Sequence, residues 1–239
     1  YMNNFFEKIK FKYISTSNRK NFKYKIYKSI RKKFNKNDVI NLETKLLDKS
    51  QHNFLDKIYT IHDFAHMSTP AIGLMINHIC KNIKKDEIFL NIGAYRGFTT
   101  VCGMIDTVCT VHSVDNFSEF DGPKDIFFKN FNLFKGENHF FHEKDYELFF
   151  NNWNNPIKFY IYDAHHSYEQ QHKNLIIARD FFVKDTVIYI DDYNVDAVEN
   201  GTKDFLSKYP NEFEIIKEIK TPFNTHPTYW NGFILFKKK

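Results

Sequence analysis

The chain has few of the residues that mark the simpler protein classes. Its three cysteines, Cys80, Cys102 and Cys109, are odd in number and form no C-x-x-C pair. That pattern argues against a disulfide framework or a cysteine zinc site and suits reduced, structural thiols. No stretch of about 18 consecutive apolar residues is present, so no membrane-spanning helix is expected. Near the N-terminus no apolar run precedes a small-residue cleavage site, and the expectation is a soluble, cytoplasmic protein. Glycine (8 residues) and alanine are scarce, whereas Phe (27), Tyr (14), Lys, Asn and Ile are abundant. This bias reads first as the mark of an AT-rich coding sequence, so aromatic content alone carries no functional message. Internal repeats are absent. What remains, 239 residues at 42% hydrophobic, is ample for one α/β domain with a full core and too little for two large ones.

Negative charge is almost missing from the first 36 residues. They hold 12 Lys and Arg against the single Glu7, about +11, while the remainder carries 22 basic and 28 acidic groups, about −6. The formal net charge of +5 therefore describes neither part. Phe11, Tyr13, Phe22, Tyr24, Tyr27 and Phe34 interleave these cations, a combination able to follow a phosphate backbone while stacking on bases. The same segment reads more simply as a solvated helical arm covering one edge of the domain. Contact of residues 8–36 with nucleic acid or an anionic membrane surface, or of the chain with a second copy, stays open. As a charged arm, the segment is expected to be dispensable for folding.

From Asp38 to Lys49 the spacing of Val39, Leu42, Leu46 and Leu47 predicts a helix. Ser68-Thr69-Pro70, a cap followed by proline, opens another whose Ile72, Met75, Ile76 and Ile79 share one face. From Glu87 onward short apolar runs alternate with helical stretches. Strands read at 87–92, 110–114, 138–142, 157–162, 186–190, 213–219 and 232–237, and helices near 98–106, 122–134, 145–150, 168–182 and 197–208. This alternation predicts a Rossmann-like, doubly wound α/β fold with a seven-stranded, mostly parallel sheet and an antiparallel pair of strands at its edge. The expected organisation is a basic arm (1–36), a helical N-terminal region of the same domain (37–86) and a ligand-binding core (87–239).

Within that core the run Glu87-Ile88-Phe89-Leu90-Asn91-Ile92-Gly93-Ala94-Tyr95-Arg96-Gly97-Phe98-Thr99-Thr100 leads from a strand through glycines four apart into a helix. Such glycines supply positive φ and close backbone approach, so the loop reads as a cradle for a small molecule or as a tight turn. It fits neither the dinucleotide fingerprint nor the phosphate loop. The other polar clusters also fall at strand ends, where the crevice of such a sheet lies. Asp115, ending the second strand, suits a ribose diol or a turn, and Asp145, after the third, suits an adenine amino group or a helix cap. The fourth strand ends in Asp163-Ala164-His165-His166-Ser167-Tyr168-Glu169 and the fifth in Asp191-Asp192-Tyr193-Asn194. Helix capping and turn hydrogen bonds are the plain alternative for all of these aspartates.

The loop N-x-G-x-x-x-G resembles the first motif of class I S-adenosylmethionine (SAM)-dependent methyltransferases. D-A-H-H-S-Y-E followed by D-D-Y-N resembles, more narrowly, the branch with macrocin-type and aminocoumarin-type sugar O-methyltransferases, and the likeness runs on through Val198-Glu199-Asn200-Gly201-Thr202 and Trp230-Asn231-Gly232. It covers roughly residues 60–239. The resemblance implies SAM held by Asn91, Gly93, Ala94, Arg96, Gly97, Asp115, Asp145 and Asp163, with Arg96 placed for the methionine carboxylate or simply exposed. It implies a divalent cation, Mg²⁺ with Mn²⁺ or Ca²⁺ tolerated, on Asp163, Asp191 and Asp192, and a small hydroxylated acceptor such as a sugar. Where members often carry an Asp base this chain has His165, a competent base as neutral imidazole and also a metal-ligand type. His166 matches the family histidine, as a catalytic or a loop-orienting residue. Asn91 departs from the usual acid and Ala164 from the usual glycine. Two other readings stay open: a nucleoside-binding fold without methyl transfer, and a nucleic-acid or membrane-binding protein acting through the basic arm.

Overall fold

The structure, a computed structural model, describes residues 2–15, 38–63 and 67–239. Seven strands form one sheet: β3 (Ile88–Ile92), β4 (Thr110–Asp115), β5 (His139–Glu143), β6 (Ile157–Tyr162), β7 (Phe182–Ile190), β8 (Phe213–Ile219) and β9 (Phe233–Lys238). Their order is β5-β4-β3-β6-β7-β9-β8. β3 to β7 pair in parallel, whereas β9 runs antiparallel between β7 and β8. The expected pair of final strands is formed, with β8 outermost and the antiparallel β9 one place inside the edge. The order reverses at the β3/β6 junction, which is where an open α/β sheet leaves a crevice beyond its strand ends.

Side-chain alternation along the strands feeds two cores, one on each face of the sheet. Phe89, Val111, Phe159, Ile161, Tyr189 and Leu235 meet Ile72 and Met75 of α3 (Pro70–Lys81), Val101 of α4 (Phe98–Met104) and Phe127 and Phe131 of α5 (Lys124–Phe134). Leu90, Tyr160, Tyr162, Ile188, Ile190 and Phe236 meet Tyr146 of α6 (Tyr146–Phe150), Leu175 of α7 (Tyr168–Arg179) and Val198 and Phe205 of α8 (Asp196–Lys208). α3 starts as its sequence indicates: Thr69 caps the helix from the position before Pro70, and its hydroxyl also donates to Thr228 O at 2.8 Å.

The N-terminal part differs from expectation. Helix α1 (Met2–Lys8) lies in the basic segment, and Met2, Phe5 and Ile9 are buried in the first core. β1 (Lys10–Ser15) pairs antiparallel with β2 (Asp38–Glu43), from Lys10 opposite Glu43 to Ser15 opposite Asp38. The helix expected over Asp38–Lys49 is therefore a strand and a turn. Its adjacent β-branched Val39 and Ile40 favour a strand when a partner is supplied, and β1 supplies one. The helix of this region is α2 (Lys49–Ile58), set by a capping box in which Gln51 N–H donates to Asp48 Oδ1 at 2.9 Å and Asp48 N–H to Gln51 Oε1 at 3.0 Å. Phe22, Tyr24, Tyr27 and Phe34, with most of the expected polyanion contact at 8–36, lie outside the described residues. No helix among the described residues is long and apolar enough to cross a membrane.

One feature of the second core predicts a pH response. His112 Nδ1 and His142 Nε2 lie 2.8 Å apart on adjacent strands, packed by Phe140, Phe149 and Trp153. Burial, and then the charge of His142, lowers the His112 pKa to about 4; burial, and then Lys144, lowers that of His142. A lowered folded-state value means that the unfolded chain takes up protons first as pH falls below about 6.5. Stability is then full above pH 6.5 and declines toward pH 4. Denaturation at pH 7 and pH 5 should differ by about 1–2 kcal/mol through His112, after allowance for partial solvation, and His112→Phe should flatten that slope.

Candidate functional site

Gly93 follows β3 with φ of +86°. Its N–H donates to Val114 O at 3.0 Å, and the Asp163 N–H donates to Ile92 O at 2.9 Å, so the loop is tied to the ends of both neighbouring strands. A Cβ on Gly93 would stand 1.8 Å from Asp163 O, which leaves glycine alone able to fill the position. The next two N–H groups, of Ala94 and Tyr95, donate to Asp115 Oδ2 at 2.7 and 2.8 Å, while Phe117 N–H donates to Asp115 Oδ1 at 2.7 Å. Asp115 thus ties the glycine loop to the loop after β4. Asp145 caps α6 by accepting from Glu147 N–H at 2.8 Å.

These groups line one cleft beyond the β3/β6 junction, enclosing about 1170 Å³ with the solvent at its mouth. Gly93, Ala94, Arg96, Asp115, Asp145, Asp163, His165, His166, Asp191 and Asp192 are all on its wall. Asn91 and Gly97 are not among the residues that line it. Asn91 is fully buried behind the loop, its amide donating to Thr100 Oγ1 at 2.9 Å and Thr99 Oγ1 at 3.1 Å; the strand's pleat turns it away from the cleft. Gly97, at φ of +90°, precedes the first turn of α4 with its Cα toward Phe127.

In the same cleft Asp163, His166 and Asp192 bring one donor atom each within 4.8 Å of one another. His166 Nε2 is 2.8 Å from Asp192 Oδ2 and 3.8 Å from Asp163 Oδ1. Burial alone lowers the His166 pKa, but contact with the two carboxylates outweighs it and raises the value to about 10. Asn231 Nδ2 donates to Asp192 Oδ1 at 2.6 Å and fixes the second carboxylate. The expected Asp163/Asp191/Asp192 set is not assembled. Asp191 is 4% exposed and accepts from Tyr189 O–H and Asp192 N–H, both at 2.9 Å. Burial, reinforced by the charges of Asp163 and Asp192, pushes its pKa well above the usual carboxylate range. Asp192 turns away from it through a left-handed backbone, φ 54°. His166 is the third member in place of Asp191.

His165 stands at the mouth, half-exposed, with Nδ1 3.0 Å from Glu119 Oε1. Glu119 was not apparent from sequence, because it comes from the loop after β4 and meets His165 only in the fold. Asn130 was also missed, although an amide between Phe127 and Phe131 on an apolar helix face is a readable signal. Fully buried, it donates to Arg96 O at 2.7 Å and His62 O at 3.1 Å and accepts from His62 N–H at 2.7 Å. Trp230, Ser68 and Tyr95 also line the cleft.

No family model and no curated protein sequence matches the chain. Solved structures do match its fold. An O-methyltransferase from Bacillus cereus in complex with S-adenosylhomocysteine (SAH) superposes with a TM-score of 0.57 at 16% identity, over 80% of this chain and 91% of that one. An SAH-bound methyltransferase from Podospora anserina gives 0.54 at 13% identity, over 81% and 89%. The O-methyltransferase NovP gives 0.50 at 13% identity, over 69% and 78%. At these identities the shared property is the fold, a Rossmann-like arrangement of the kind methyltransferases use.

Proposed function

We propose that this chain transfers a methyl group from SAM to a hydroxyl of a small acceptor, a sugar being the class suggested by its strand-end motifs, with a divalent cation assisting. The observation that carries the reading is one cleft at the β3/β6 reversal whose lining includes both the glycine loop with Asp115 and the Asp163, His166 and Asp192 cluster.

The walls fit the cofactor. Ile92, Val114 and Phe117 supply apolar surface for a nucleobase, and Asp115 and Asp145 supply acceptors for hydroxyl and amino donors. A carboxylate offers about four lone-pair sites, and the three N–H groups on Asp115 leave one for a ribose hydroxyl. Bound there, SAM supplies an electrophilic methyl group. Two carboxylates and an imidazole also fit a divalent cation, Mn²⁺ more readily than Mg²⁺ because of the nitrogen donor. A cation on Asp163, His166 and Asp192 would acidify an acceptor hydroxyl. His165, held through Nδ1 by Glu119, keeps Nε2 as the acceptor for that hydroxyl's proton.

Calorimetric titration of the full chain with SAH, with and without Mn²⁺, tests the reading. Asp115→Ala should weaken SAH by about 1–3 kcal/mol, the loss expected for hydrogen bonds to a charged group. Absence of SAH binding at millimolar concentration would reject the proposal. Mn²⁺ binding that survives in Asp192→Asn would assign the acidic cluster a structural role. One observation favours nucleoside binding without transfer: His166 already lies between Asp163 and Asp192, where a cation would sit. Radiolabelled SAM offered with an array of hydroxylated acceptors separates the two readings.

A further inference from the structure

We propose that Tyr95 and Phe120 form an aromatic shelf in the cleft on which the acceptor lays one face of a ring, and that this ring is hydroxylated and carries no negative charge. Four aromatic residues among the described ones have left-handed backbone: Tyr95 (φ 47°), Phe117 (φ 52°), Phe120 (φ 53°) and Trp230 (φ 52°). All four line the cleft. A bulky side chain at positive φ is strained, and such strain gathers where a ligand is held. The core accounts for Phe117, whose ring packs at 5.5 Å on both Phe127 and Phe141. Phe120 has no such place: its ring meets Tyr95 edge-on at 5.4 Å, and the residue is 52% exposed. An open aromatic face of this kind stacks a flat ring, and it buries the C–H face of a sugar ring in the same way.

The shelf adjoins the groups assigned to proton transfer. Phe120 follows Glu119, whose Oε1 is 3.0 Å from His165 Nδ1, and both residues of that pair line the same cleft. Trp230, the fourth ring, likewise precedes Asn231, whose amide donates to Asp192 Oδ1 at 2.6 Å. Two of the strained aromatics therefore neighbour, along the chain, residues that hold a reactive side chain in place. The charges beside the shelf set its preference. Arg96, 5.1 Å from the centre of the Tyr95 ring, is already paired with Asp63. Glu119 and Asp121 flank Phe120 in sequence, and the charge of Asp121 is felt at Tyr95. Acids thus outnumber the one guanidinium, and a ring bearing a carboxylate or phosphate is disfavoured.

The inference rests on the proposed methyl transfer for taking the ring to be an acceptor. Ligand-observed NMR titrations of the full chain, without added metal, use phenol, methyl β-D-glucopyranoside, glucuronate, acyclic glycerol and SAH. Phe120→Ala should weaken phenol, the glucoside or both about tenfold, the combined scale of one aromatic contact and its buried area. Phe120→Trp should restore that affinity. SAH affinity and melting temperature should be the same in both variants as in the parent, because Phe120 stands exposed on the loop after β4. Loss of phenol alone assigns the shelf to a flat ring, and loss of the glucoside alone assigns it to a sugar face. A parent that binds neither ring, or binds glycerol or glucuronate as tightly as the better of the two, overturns the proposal. So does a Phe120→Ala protein that keeps its ring affinity, or one that loses SAH affinity instead, which gives the shelf to the nucleobase. If the parent binds a ring through Phe120 but no SAH, the shelf stands and the methyl-transfer reading falls.

Discussion

Gly93→Ala should destabilise the fold by about 3–5 kcal/mol and abolish SAH binding. Three costs add. A non-glycine residue at φ of +86° is strained by about 1–2 kcal/mol. The added Cβ would meet backbone, 1.8 Å from Asp163 O and 2.5 Å from its carbonyl carbon, so no side-chain rotation relieves it. Separating the two strand ends then weakens the bonds from Gly93 N–H to Val114 O and from Asp163 N–H to Ile92 O, each about 1 kcal/mol. Gly97→Ala is the control: its φ is similar, but the nearest atom is a Phe127 ring carbon at 3.2 Å, which can shift. Denaturant titration of both variants should rank Gly93→Ala as much the worse. Equal losses would show that the β3/β6 junction is looser than these distances describe.

The difference between those glycines indicates what a sequence can convey about such a site. Strands β3, β6, β7 and β9 were legible because most of their residues are buried, giving compact apolar runs bounded by polar loops, whereas β5 and β8, mostly not buried, were read from shorter apolar runs. Side-chain direction at the strand ends was less legible. Tyr189 and Asp191 lie two apart on β7 and its end, hence on one face, and that alternation puts the first aspartate against the tyrosine hydroxyl. A left-handed backbone at Asp192 sets the direction of the second, and although aspartate adopts such a turn more readily than most residues, its type alone does not mark the position. Contacts between loops, His165 with Glu119 and Arg96 with Asp63, join segments more than thirty residues apart in sequence, so no local pattern carries them. The β1–β2 ribbon was illegible for a related reason. Its strands are short and more than twenty residues apart, and the Lys- and Phe-rich composition of the first masked an apolar helix just before it.

That helix supplies the second large effect. Phe5→Ala should cost about 3–5 kcal/mol, the usual range for emptying a buried phenylalanine site. Phe5 is 2% exposed, stacks on His78 of α3 at 4.7 Å and meets Phe6 edge-on at 5.4 Å. Met2 and Ile9 are buried beside the same core, and Phe6 and Phe11 pack against it. Glu7→Ala, on the exposed face of the same helix, should change stability by no more than about 0.5 kcal/mol. A chain beginning near Asn37 would lose α1 together with the partner of β2, so it is expected to aggregate or melt early, contrary to the behaviour of a dispensable charged arm. The charge of the first 36 residues and their structural role are therefore separable: the cations concentrate after Lys10, while the residues that hold the segment to the core are Met2, Phe5 and Ile9. If Phe5→Ala unfolds at the same denaturant concentration as Glu7→Ala, α1 is an appendage and the boundary near residue 36 marks the true start of the domain.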